Sequence, residues 1–182
     1  FIFIEDEAKP KIEKARRKAI RDKRKKSQES AKNIEGIPFD INAKSISYDS
    51  AKNSVRADGG VILSHPSSII EGESAEFNVK TNEATIKDGV RVTEVTTTIS
   101  AEEAWLNFKS KEARLLNAQI MMEDGDYILG ADEILKSTEE DYSLKHAQMT
   151  TCHCPEGDQA CPWKIRAEDA EITRNGYGQL WN

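Results

Sequence analysis

No stretch of this chain approaches the ~18 consecutive apolar residues that a membrane-crossing helix needs, so the segment does not span a bilayer as a helix. Apolar residues make up only 37% of the 182 and charged residues 32%, which excludes a thick globular core and favours a thin one under a solvated surface. Histidine is scarce. His65, His146 and His153 are scattered, no nucleophile, base and orienting residue fall into a recognisable arrangement, and there is no phosphate-binding glycine motif. An enzyme is therefore not expected, and no cofactor is called for. Cysteine is absent from residues 1–151, and all three cysteines lie between Cys152 and Cys161.

What the chain does have is a period. Ile41, Ile70, Ile99 and Ile128 stand 29 residues apart, as do Ala43, Gly72, Ala101 and Gly130. Tyr48 steps to Phe77, Leu106 and Leu135; Val55 to Ala84, Ala113 and Tyr142; Ala57 to Ile86, Leu115 and Leu144; Gly60 to Gly89, Ala118 and Ala147. Columns that keep their size and polarity at a fixed spacing are the mark of a repeat.

Charge divides the chain near Ile37-Pro38. Residues 1–36 carry twelve Lys/Arg against seven Asp/Glu, and the rest carry 14 against 25. The basic head, rich in Ala, Glu, Lys, Arg and Ile, reads as a charged helical or disordered segment, with Pro10 suited to a first helical turn and Ser27–Gly36 as a linker. Its apolar stripe of Ile12, Ala15, Ala19 and Ile20 is narrow, and a solvated arm stands beside the alternative of an anionic partner. Phe1–Ile4 reads either as the tail of a removed leader or as an ordinary terminus.

From Phe39 onward the helical period gives way to alternation, as in Ala75–Lys80 and Ala104–Lys109, the period-2 pattern of half-buried strands. Polar breaks at Asp49–Asn53, Lys80–Glu83 and Lys109–Glu112 make each repeat a strand, a turn and a second strand. Asp58-Gly59-Gly60, Lys87-Asp88-Gly89 and Asp124-Gly125-Asp126 add turn or bulge chemistry. Four repeats predict about eight strands before the C-terminal part. One apolar face per strand must be covered, which requires two sheets face to face or a solenoid with a common interior. The 48/77/106/135 column is expected to fill that interior, and the small 43/72/101/130 and 60/89/118/147 columns to mark curvature or close backbone approach. The recurring acid pairs Glu102-Glu103, Asp132-Glu133 and Glu168-Asp169 read as solvent-facing strand residues rather than as a catalytic carboxylate pair.

After Met149 the period breaks and resumes. Trp163–Ile172 matches the Ile128, Gly130 and Leu135 columns at an offset of 37, so eight residues have been inserted, and that insertion carries Cys152, His153, Cys154 and Cys161. These are suitable zinc donors, but adjacent Cys-His-Cys is awkward for one tetrahedral centre; no metal is expected, and for an exported protein disulfides are the favoured reading. Three cysteines cannot all pair within the chain. The chain stops at Asn182 within a strand-like stretch, and a larger protein is expected to continue beyond it.

The unit Ile41-x-Ala43-x-x-Ile46-x-Tyr48-Asp49, followed by Val55-x-Ala57-x-Gly59-Gly60-Val61, resembles the repeats of OstA-like lipopolysaccharide-transport domains. The later Met149–Cys152, a Pro/Gly/Asp loop and Trp163–Ala167 are similar to the closing part of the N-terminal periplasmic domain of the outer-membrane lipopolysaccharide-assembly LptD family. Together the two likenesses cover residues 39–182. The resemblance implies an all-β jellyroll over residues 37–182, a periplasmic location at the outer membrane, and an interior that receives the acyl chains of lipopolysaccharide. It also implies a bridge protein added by edge-strand pairing, a C-terminal barrel with its plug lipoprotein, and no nucleic acid. A soluble or inner-membrane-anchored bridge component, or a structural β-repeat with no lipid, are the other readings. Family members often carry a cysteine near the mature N-terminus, which this chain lacks, and the basic head has no counterpart. In the resembled family the cysteine at the place of Cys152 bonds to the barrel, which leaves Cys154 and Cys161 to close a local loop.

Each methylene moved from water into an apolar interior gains about 0.8 kcal/mol, so acyl chains strongly favour a continuous apolar channel. The period nominates Ile41, Tyr48, Ile70, Phe77, Ile86, Ile99, Leu106, Phe108, Leu115, Ile120, Ile128 and Leu144 as its lining. Sequence pattern alone does not separate a channel wall from a closed core.

Overall fold

The computed structural model describes residues 18, 22, 39–122, 127–138, 140–151, 163–173 and 176–182. The charged segment expected over residues 1–36 lies outside this set apart from Lys18 and Asp22, both in helical conformation. Eleven strands follow: β1 (Asp40–Asn42), β2 (Ser45–Asp49), β3 (Ser54–Ser64), β4 (Ile69–Asn78), β5 (Glu83–Thr93), β6 (Thr97–Asn107), β7 (Ala113–Met122), β8 (Tyr127–Lys136), β9 (Asp141–Thr150), β10 (Ile165–Thr173) and β11 (Gly178–Trp181). From β3 onward each strand pairs antiparallel with the next, and β1 and β2 both pair with β3. These two short strands are segments of one edge, so Asp40–Thr150 holds the eight strands that four repeats require.

The turns explain why the chain reverses where it does. Asp49 Oδ1 accepts the amides of Ala51 and Lys52, Asn78 Oδ1 those of Lys80 and Thr81, and Asn107 Oδ1 those of Lys109 and Ser110, all at 2.9–3.2 Å. A short side-chain acceptor thus holds each turn in the manner of an Asx-turn. Asn53, Asn82 and Lys111, again 29 apart, then take φ of 53°, 60° and 65° to return the chain. Successive turns stack, because Val79 N–H donates to the Asn53 carbonyl and Phe108 N–H to the Asn82 carbonyl, each at 2.9 Å.

Half-way along the strands a second periodic feature bends the sheet. Gly59, Asp88, Asn117 and His146, 29 residues apart, have φ of 86°, 62°, 48° and 49°, and Gly60 and Gly89 extend the first two. The register shifts there, between Asp58 and Val61 on β3 and between Lys87 and Val90 on β5. Such bulges increase local twist and bend a strand. Bent at every repeat, the single sheet folds over on itself as a β-jellyroll, and one contiguous cluster of buried side chains takes residues from both halves. At the bend β4 approaches its neighbour β5 closely at Gly72, where an added Cβ would lie 2.5 Å from Ile86 Cγ2 and 3.2 Å from the Lys87 carbonyl.

The inward face is not the one that a strict 29-residue period traces. The step between inward residues across the bulge runs from Ala57 to Val61 in β3 and from Ile86 to Val90 in β5, but from Leu115 to Ala118 in β7 and from Leu144 to Ala147 in β9. At Asn117 and His146 the pairing stays in register with a single left-handed residue, so relative to β3 and β5 everything beyond them moves by one position, and a one-residue slip exchanges the two faces of a strand. In β8 the inward residues are accordingly Leu129, Ala131 and Ile134, while Ile128 pairs with Met121 and Thr150 on the outer face. Leu135 faces out, 40% exposed, and so does Gly130, covered by Gln148. Counted by inward residues, β10 follows β8 at an offset of 36, as Ala167 follows Ala131 and Ala170 follows Ile134. The glycines divide by cause: Gly72 is small because Ile86 leaves no room, whereas Gly60 and Gly89 have open space and are required by their positive φ.

Gly72→Ala is expected to destabilise the protein by about 1–3 kcal/mol, since the buried Ile86 has nowhere to move. Gly130→Ala should stay within about 0.5 kcal/mol, because its new methyl meets only a flexible surface glutamine. Urea unfolding midpoints of the two variants check the difference.

Candidate functional site

The two ends of the folded sheet are filled differently. Near β1, Phe39 reaches across to Phe77 and Phe108 with ring centroids 4.9 and 4.7 Å away, and His65 lies 6.3 Å from Phe108. That end is packed: Val55, Val61, Leu63 and Ile86 are each at most 2% exposed. Toward β10 the inward side chains are less completely covered, Tyr142, Met149 and Ile172 being only partly buried. Two apolar clefts open there, one lined by Ile120, Met122, Tyr127, Leu129, Ile134, Tyr142, Leu144 and Ile172, the other by Leu129, Ala147, Gln148, Met149, Ile165, Ala167, Ala170, Ile172 and Leu180. They enclose about 360 and 310 Å³ of empty space, part of it open to solvent. Leu129 and Ile172 line both, so the clefts form one groove.

Its walls follow from strand alternation. Met122, Tyr127, Tyr142, Met149 and Ile172 are only partly buried and pack against the core cluster from the groove side. At one lip the Lys136 ammonium stands 5.9 Å from the centre of the Tyr142 ring. A concave apolar surface with few polar groups suits flexible hydrocarbon rather than a polar metabolite.

Of the sequence-predicted lining, Ile41, Ile70, Phe77, Ile86, Leu115, Ile120 and Leu144 are buried on the inward face. Ile99, Leu106 and Phe108 are partly buried against it. Tyr48 shares the side of Val55 but stands at the sheet edge, 53% exposed, and Ile128 is turned away by the register change. The period missed Leu129, Ile134, Tyr127 and Ile172. Alternation within β8 itself, Leu129-x-Ala131, would have found the first of these. Cys152, His153, Cys154 and Cys161 lie outside the described residues.

The acid pairs occupy the outer face and have structural partners. Glu102 Oε2 accepts a 2.6 Å bond from Asn117 Nδ2, and Asp132 Oδ2 lies 2.7 Å from His146 Nδ1. In two of the three pairs the first acid thus holds the left-handed residue opposite it on the next strand. The second acid meets a cross-strand cation: Glu103 with Lys87 and Asp169 with Lys145, each at 3.1 Å, and Glu133 with Arg114. The hydrogen bond to Asp169, and secondly its charge, raise the pKa of Lys145, as Asp58 does for Arg56. Among the described residues no group of three or more His, Cys, Asp or Glu side chains is arranged to hold a metal, and no helix is long and apolar enough to cross a membrane.

No protein-family model and no curated protein matches the sequence. The fold does have a solved counterpart, the crystal structure of LptH, the LptA-homologous periplasmic component of the conserved lipopolysaccharide transport device from Pseudomonas aeruginosa. The TM-score is 0.54 at 11% identity, over 71% of this chain and 94% of that one. At that identity the likeness is one of fold.

The register change is directly testable. Leu144→Ala, at a buried inward site, is expected to cost about 2–5 kcal/mol. Ile128→Ala, on the outer face, should cost less than about 1 kcal/mol, as surface substitutions do. Equal losses in thermal or urea unfolding would place Ile128 in the core instead.

Proposed function

We propose that this chain is a non-enzymatic periplasmic domain that binds lipopolysaccharide by its acyl chains and passes it toward an outer-membrane barrel. The observation that carries this reading is an apolar groove open along the β7–β10 side of a jellyroll whose fold is that of a lipopolysaccharide-transport component. Burial at about 0.8 kcal/mol per methylene supplies affinity without any catalytic group. Transfer needs an interior that lipid can leave again, and a groove open along one side permits that.

Two sheet edges are available for assembly. Among the described residues the sheet ends at β1 and β2 on one side and at β11 on the other, where β11 pairs with Asp169–Ile172 of β10. A bridge partner adds at such an edge through main-chain hydrogen bonds. Five large apolar side chains, Trp163, Ile165, Tyr177, Leu180 and Trp181, are exposed along the C-terminal edge and suit a protein contact there. A second reading, a bridge component in its own right, is favoured by the share of LptH that this chain covers, 94%.

Photo-crosslinking side chains at Tyr142, Leu106 and Ile172 of the full chain are expected to capture lipopolysaccharide, and the same group at the outward Gln119 or Ile128 is not. A closed β-repeat with no lipid would give no capture from the inward positions. The cysteine assignment is checked by mass spectrometry of the full-length protein under non-reducing conditions. The expected result is Cys152 joined to a partner outside this segment and Cys154 joined to Cys161; a Cys152 peptide found only as free thiol overturns it.

A further inference from the structure

We propose that Lys136 is the contact for the anionic headgroup of an amphiphile whose hydrocarbon lies in the groove; the inference rests on the lipid-binding reading above and adds the chemistry of the ligand's polar end. Positions 49, 78, 107 and 136 form one column of the repeat. In the first three, Asp49, Asn78 and Asn107, the side chain accepts two amides of the turn that follows. A lysine has no acceptor to offer, and at the fourth turn Thr138 Oγ1 takes over, accepting the amides of Glu140 and Asp141 at 3.2 and 3.0 Å. The side chain at position 136 is thereby released from the bonding of its own turn.

The register change then brings it inside. With Phe77 and Leu106 on the inward side, alternation places Asn78 and Asn107 on the outer face, but in β8 the inward residue is Ile134, 1% exposed, and Leu135 is turned out. Lys136 stands two residues beyond Ile134 and pairs with Ala113 and Tyr142, which stand two residues before the inward Leu115 and Leu144. It is therefore on the inner face at the tip of the strand, partly buried, with its ammonium 5.9 Å from the centre of the Tyr142 ring that lines the groove. The acids of this and the neighbouring turn are engaged elsewhere: Asp141 Oδ1 and Oδ2 accept the hydroxyls of Thr173 and Thr138 at 3.0 and 2.8 Å, and Glu112 Oε2 accepts that of Ser110 at 2.7 Å. Among the described residues no carboxylate pairs with Lys136, whereas the outward Arg56, Lys87, Arg114 and Lys145 each have one. A cation held over an aromatic ring at the rim of an apolar groove fits a ligand made of a tail and an anion. Its charge-assisted hydrogen bonds to a phosphate or carboxylate fix which end of the ligand stays at the rim.

The test is equilibrium binding of decyl phosphate, decanoate and the uncharged decanol, below their aggregation limits, and of inorganic phosphate, to the whole chain and to Lys136→Gln, with Lys136→Arg as the variant that keeps the charge. The parent chain is expected to bind the two anionic compounds about three- to tenfold more tightly than decanol. Lys136→Gln should lose that preference while binding decanol as the parent does, and Lys136→Arg should keep most of it. Inorganic phosphate should bind more than about a hundredfold more weakly than decyl phosphate, since it has no tail to bury. Thermal melts establish that the variants are folded; if Lys136→Gln is not, Lys136→Met, which keeps an apolar stem, takes its place. A preference that is absent from the parent, or that survives the loss of the charge, overturns the headgroup contact and leaves the apolar groove standing. Inorganic phosphate binding as tightly as decyl phosphate overturns it in favour of a free-anion site. Failure of the parent chain to bind any of the three decyl compounds overturns the lipid reading itself.

Discussion

The jellyroll depends on a backbone constraint at mid-strand: a residue that will accept positive φ every 29 positions. A straight antiparallel sheet of this size would leave one apolar face in water, and only a bend repeated in register lets that face close on itself. Gly59 and Gly60 meet the demand at no steric cost, and Asp88 shares it with Gly89. Asn117 and His146 have no such freedom, though Asn and His adopt the left-handed region more readily than most side chains do. The less permissive positions are the ones with a carboxylate in support, Glu102 against Asn117 and Asp132 against His146. The outer-face acids thus belong to the mechanics of folding the sheet. Being exposed, each such contact contributes little singly, and their effect is to hold geometry rather than to add much stability.

The hinge also sets which residues face the interior. Each half of the sheet keeps its own alternation, and the bulge decides how the two alternations are joined. With two left-handed residues, at Gly59-Gly60 and Asp88-Gly89, the inward positions fall four residues apart across the bend; with one, at Asn117 and His146, they fall three apart. This small difference exchanges the faces in the outer halves of the later strands. Met121 and Ile128 turn outward, and Ile120 and Leu129 turn in.

That explains what was legible in the sequence. The turns were, because an Asx acceptor followed by Asn or Lys at fixed offsets has a local cause that no distant contact alters. Strand number and the all-β class were legible for the same reason. The inward face was legible only as far as the first two bulges. One residue is lost at the β7 bend, two are gained between Ile120 and Leu129, and one is lost in the turn between Ile134 and Leu144, so the 29-residue period is restored while the face in between has changed. A column that ends in phase gives no sign of a compensated slip within it, which is why Ile128 read as lining and Leu129 did not. Tyr48 misled for another reason: its parity is right, but an edge strand has no neighbour to cover it.

Side-chain burial then distinguishes where the folded sheet is a core and where it is a groove. Facing sheet layers sit about 10 Å apart, a gap that large residues fill and small ones do not. Around β1–β6 the gap holds Phe39, Phe77, Leu63, Ile70, Ile86 and Phe108. Small residues line the bend in both regions, Ala57, Ala75, Ala101 and Ala104 in the first and Ala118, Ala131, Ala147, Ala167 and Ala170 in the second, but around β7–β10 the large Tyr127, Tyr142, Met149 and Ile172 are only partly buried. Close packing in the first region stabilises the domain, since burial there is nearly complete. The second region can therefore leave apolar surface uncovered without unfolding the whole, which is what a protein needs if it is to hold hydrocarbon and release it. One repeat thus forms a closed core at one end and an open apolar groove at the other, the difference lying in how completely its large side chains are covered and not in topology.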